Sequence, residues 1–158
     1  MITLKQTLTW FSFLCISIFF FSCIKAEDLT KEQELYYTVK QISAINPDGF
    51  IVSDEDGKTM PTGGYAFNHS ETQDCFDDEG LRKVLNFCVP NVDVNYIGGK
   101  KMTEKNCFQY TAISIYDTLE KAAEKAKAYG QTTIYCLQTR TKYHWDEASG
   151  SFLPESQQ

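Results

Sequence analysis

The chain has 158 residues, 42% of them hydrophobic, with 15 basic and 21 acidic side chains and a net charge of −6. That length suits one domain with a real core, and the acidic balance argues against nucleic acid or anionic membrane as partner, since both need clustered Lys and Arg. Two histidines and no Cys-x-x-Cys pair leave no ligand set for zinc, and no cofactor motif is present.

The N-terminus reads as an export signal. Lys5 precedes an almost wholly apolar run of 17 residues from Leu8 to Ile24, shorter than the about 20 residues of a spanning helix. Ala26 supplies a small residue ahead of Glu27-Asp28, which predicts a signal peptide over residues 1–26 and a secreted domain over 27–158. The pair Ser22-Cys23 offers an alternative, a lipoprotein held at a membrane by acyl chains on Cys23. Without residues 1–26 the chain keeps 13 basic and 21 acidic groups, a net charge of −8. Such a surface favours solubility or a basic partner.

Beyond the signal, Thr30 and Gln33 form a capping box for a helix from about Lys31 to Ile45, with Leu35, Val39 and Ile42 on one face. Asn46-Pro47 ends it. A short strand over Gly49–Ser53 leads into the turn SDEDGK, where Asp56-Gly57 suits a positive φ. That turn lacks calcium-loop spacing. After the breaker MPTGG, Tyr65–Asn68 reads as a strand. A second helix spans about Asp78–Cys88, with Leu81, Val84, Leu85 and Cys88 on the core face and acidic residues at its positive end.

The stretch NVDVNYI alternates, so Val92, Val94 and Tyr96 share one face of a strand. Gly98-Gly99 is expected to break the chain, with Lys100-Lys101 exposed in a hairpin turn. CFQYTAISIY is a longer strand. Asp117 is the expected N-cap of a third helix, Glu120 completes its capping box, Ala122, Ala123 and Ala126 give it a narrow face, and Gly130 supplies the left-handed C-terminal residue. TTIYCLQ is a strand, and KYHW, the turn DEASG and SFL form a closing hairpin. The order α-β-β-α-β-β-α-β-β, with connections too short for parallel crossovers, predicts an α+β single domain: a mostly antiparallel sheet with about three packed helices.

The pieces Gly64-Tyr65, Gly80-Leu81-Arg82-Lys83-Val84, Gly98-Gly99, Ile115-Tyr116-Asp117 with Leu119-Glu120-Lys121-Ala122, and Gly130-Gln131 before Ile134-Tyr135 resemble, in this order, a family of small bacterial and phage-associated domains of unknown function. The resemblance covers roughly residues 64–137. It implies a shared fold and brings no activity with it.

Four cysteines follow the signal: Cys75, Cys88, Cys107 and Cys136. An even set in a small exported domain predicts two disulfides. Cys75 and Cys88 flank a helix about 15 Å long, too far apart for a bridge, which needs Cα atoms within about 7 Å. The preferred pairing is Cys88–Cys136 with Cys75–Cys107, because Cys88 and Cys136 both fall on core faces. Cys75–Cys136 with Cys88–Cys107 stays open.

Two functional readings follow. The leading one is a small secreted binding protein without catalysis and with an extracellular protein partner. Tyr135, Tyr143 and Trp145 are its candidate contact surface, since Tyr and Trp anchor interfaces. The alternative is a secreted nuclease or hydrolase in which His69 and His144 exchange protons in one cleft, with Arg140 or Arg82 on the developing charge. Nucleophile motifs are missing: there is no Gly-x-Ser-x-Gly, and no free Cys if both disulfides form. Asn68-His69-Ser70 is an acceptor sequon for N-glycosylation.

Overall fold

The computed structural model describes residues 29–69 and 77–155. The expected signal peptide, Cys23 and Cys75 lie outside them. The fold is α+β, with three helices and a seven-stranded antiparallel sheet among the described residues.

Helix α1 spans Lys31–Ile45. Its capping box is closed: Thr30 Oγ1 accepts from the Gln33 N–H at 3.3 Å, and Gln33 Oε1 accepts from the Thr30 N–H at 2.8 Å. Leu35 and Val39 are buried on its inner face, with Ile42 packed beside them. Helix α2, Asp77–Cys88, buries Leu81, Val84, Leu85 and Cys88 in the expected i, i+3, i+4, i+7 pattern. Helix α3, Leu119–Ala128, starts one residue later than expected. Thr118, not Asp117, is the N-cap, and its hydroxyl accepts from the Lys121 N–H at 3.3 Å. Its C-terminus is a Schellman motif: Gln131 N–H donates to Ala126 O at 2.7 Å, Gly130 N–H donates to Lys127 O at 3.0 Å, and Gly130 has φ +64°.

The strands are β1 Phe50–Ser53, β2 Tyr65–Asn68, β3 Tyr96–Met102, β4 Cys107–Tyr116, β5 Thr133–Cys136, β6 Lys142–Asp146 and β7 Ser151–Pro154. They lie in the order β1-β3-β4-β2-β5-β6-β7, every neighbouring pair antiparallel. The expected closing hairpin is present as β6 and β7 and extends the sheet beyond β5.

Strand β3 departs from expectation. It begins at Tyr96, Val92 is 98% exposed, and Gly98-Gly99 lies inside the strand instead of breaking it. Packing explains this. A Cβ on Gly98 would stand 2.5 Å from Ile113 Cδ1, and one on Gly99 would stand 2.8 Å from Phe108 and 2.9 Å from Phe50. Here glycine permits close approach within a sheet. Lys100 and Lys101 are exposed, but on a strand and not in a turn. Asn95, just before β3, prolongs the pairing with its side chain: Nδ2 donates to Ile115 O and Oδ1 accepts from Ile115 N–H, both at 2.9 Å.

All three helices pack on one face. Two apolar clusters fill that side: Val39, Val52, Leu85, Ile97 and Tyr110 under α1 and α2, and Phe67, Ala122, Ala126 and Ile134 under α3. The opposite face carries Ala66, Ile113 and Ile115, with Ile51, Tyr96 and Leu137 against them. No described helix lies over it.

The expected Cys88–Cys136 bridge is not formed, nor is the alternative Cys88–Cys107. Cys88 and Cys136 are both buried and both free. Cys88 belongs to the cluster under α2, whereas Cys136 sits in β5 opposite Tyr65, on the far side of β2. Sharing a core-facing side does not bring two residues together across a wide sheet. No disulfide joins two described cysteines. Cys107 is disulfide-bonded, and neither Cys88 nor Cys136 is its partner.

Candidate functional site

The face of the sheet that no described helix covers is the candidate docking surface. Two adjoining hollows lie on it, of about 350 Å3 and about 470 Å3, and both are bordered by Ile51, Asn68 and Ile113. Together they form a trough running from β1 across β3, β4 and β2 to β5. Strand alternation places its residues: Ile51, Gly98, Thr111, Ile113, Asn68 and Tyr135 all point away from the helices. Gly98 is central: it lies between Ile51 and Thr111, and the Ile113 δ-methyl packs over it. The floor is apolar. The rim carries amides and hydroxyls (Asn68, Gln109, Gln131, Thr133), with only Asp48 and Lys100 charged.

The sequence-predicted contact residues divide between the two faces. Tyr135 lines the trough. Tyr143 and Trp145 point the other way, Tyr143 edge-on to Tyr65 at 6.0 Å and Trp145 edge-on to Phe152 at 5.3 Å, with Lys127 Nζ 4.9 Å from the Trp145 ring. They pack the sheet and form no common surface with Tyr135.

The two histidines are also separated by the sheet. His69 is 2% exposed on the helix side, its ring 5.2 Å from Phe87 and 4.8 Å from Tyr129. His144 is half exposed on the trough side of β6, with Nδ1 3.4 Å from Thr133 Oγ1 and Nε2 3.7 Å from Glu155 Oε2. Arg140 lies exposed in the β5–β6 turn with φ +58°, and Arg82 covers the Tyr36 ring at 4.6 Å on the helix side. The expected acid–base pair shares no cleft, so one scissile group cannot lie within reach of both imidazoles.

His69 does meet a serine: Nε2 lies 2.9 Å from Ser114 Oγ. The pair is not a nucleophile and its base. Ser114 Oγ donates its single proton to Asp93 O at 2.7 Å, so it can only accept from His69. Nε2 therefore carries the proton, an assignment that follows from the network. Ser114 is also fully buried. This contact continues into a polar lock between α3 and the loop after α2. Lys125 Nζ donates to both oxygens of Asp93 at 2.8 and 3.1 Å, and Tyr129 Oη donates to Asp93 Oδ2 at 3.0 Å. The Lys125 bond holds the Asp93 carboxyl below its usual range, and the same bond raises Lys125. Burial raises the Tyr129 and Tyr116 hydroxyls, and the Asp93 charge adds to it.

The free thiols differ. Burial, with the Asp54 charge adding, pushes Cys88 up to about 12. Burial also pushes Cys136 up, but the polar groups around it, those of Thr139, Gln138 and Tyr65, outweigh it, and the net shift is downward.

Among the described residues no cluster of His, Cys, Asp or Glu could hold a metal ion, and no helix is long and apolar enough to cross a membrane. No family model, curated protein or solved structure matches the chain. Sequence reasoning missed Gly98, Ile51 and Ile113 as trough residues. Alternation within each strand was visible, but which face the helices cover is not a property of any one strand.

Proposed function

We propose that this chain is a small exported binding protein without catalytic activity, which docks an uncharged extracellular partner on the helix-free face of its sheet. The observation that carries this reading is the lopsided sheet. An antiparallel sheet that faces water on one side normally alternates to polar residues there, yet this face presents the half-buried Ile51, Tyr96, Tyr135 and Leu137, packed over the buried Ala66, Ile113 and Ile115. Contiguous apolar surface with a polar rim is the anatomy of a docking site. The apolar run ending at Ala26 supports export, and the separation of His69 from His144 favours binding over hydrolysis.

Retention of the folded domain on surface material of its own host tests this. Thr133→Arg puts a charge on the exposed trough rim without entering the core, and Glu124→Arg changes the outer side of α3. The expected result is retention of wild type and Glu124→Arg, with loss for Thr133→Arg. Equal retention of all three, or loss only with Glu124→Arg, would overturn the reading.

A further inference from the structure

We draw no further inference here: the strongest candidate, the hollow of about 410 Å3 between the end of α1 and the β3–β4 hairpin, carries nothing because its Lys40 ammonium is already paired with Asp78 and its Ser43 hydroxyl with Tyr110 and the Lys40 carbonyl, and nothing in the structure shows what covers it.

Discussion

Gly98 on β3 and Ile113 on β4 are diagonal neighbours, so close that a Cβ on Gly98 would lie 2.5 Å from Ile113 Cδ1. This contact sets both the fit of the strands and the depth of the trough. Gly98→Ala must push the Ile113 side chain aside, a form of overpacking that costs about 1–3 kcal/mol. Equilibrium denaturation should find that loss. At temperatures where the variant remains folded, binding should be weakened as well, because the Ile113 side chain is displaced into the trough. Stability and binding both equal to wild type would contradict the packing described.

Asp93 ties the loop after α2 to α3. Asp93→Asn removes the ion pair with Lys125, whose partners are each about a third exposed, so the cost at neutral pH is modest, about 1 kcal/mol. The pH dependence has a definite sign. The Asp93 carboxyl is held below 3.8 in the folded chain, so its contribution is present above that value and is lost as pH falls through the folded pKa. Lys125 is raised above 10.5, and its share is present below that value and lost as pH rises through the folded pKa. Thermal melts should therefore show the gap between wild type and Asp93→Asn closing as pH falls below the ordinary aspartate range and narrowing again in strong alkali. A gap independent of pH would mean that the pair contributes nothing electrostatic.

Ser114→Ala tests the buried bridge to His69. It leaves the His69 Nε2–H and the Asp93 carbonyl without this shared partner in a closed core, at a cost of about 1–3 kcal/mol. Because both histidines are placed outside catalysis, His69 variants should change stability only, and His144→Ala should leave the melting curve unmoved. Loss of a nucleolytic activity in folded His69 and His144 variants would restore the hydrolase reading.

Much of the fold was legible in the sequence. The capping box at Thr30, the i, i+3, i+4, i+7 run of α2 and Gly130 after α3 are local signals, and the structure contains all three. Non-local facts were not legible. Gly98-Gly99 looks like a breaker until Ile113, Phe108 and Phe50 are set against it. Tyr143 and Trp145 look like a surface until α3 covers them. Cys88 and Cys136 both point inward, yet only the strand order reveals that β2 separates their neighbourhoods. The trough itself depends on which face three separate helices choose.

The cysteines yield a sharp expectation. With Cys88 and Cys136 free and Cys107 bonded, the domain should carry one disulfide, with Cys75 the expected partner, and two buried thiols. Intact mass without reductant should fall two hydrogens short of the reduced value. Alkylation should be slow until denaturant is added, slowest at Cys88, where burial holds the thiol protonated up to about 12. A mass four hydrogens short would mean that Cys88 and Cys136 pair after all.

Asn68 is exposed on the trough side of β2 and borders both hollows. Expression in a glycosylating host should place a glycan there through the sequon, and that glycan should block ligand without unfolding the domain. Ser70→Ala, which removes the sequon and keeps Asn68, should restore binding in that host. Undiminished binding by fully glycosylated protein would place the docking surface elsewhere.

The most direct measurement of the central claim is hydroxyl-radical footprinting of the domain, free and bound to surface material of its own host. Docking on the helix-free face predicts slower oxidation of Tyr135, Ile51 and Leu137, with Tyr37 on α1 and Val92 after α2 unchanged. Protection of Tyr37 or Val92 with Tyr135 left reactive would contradict it.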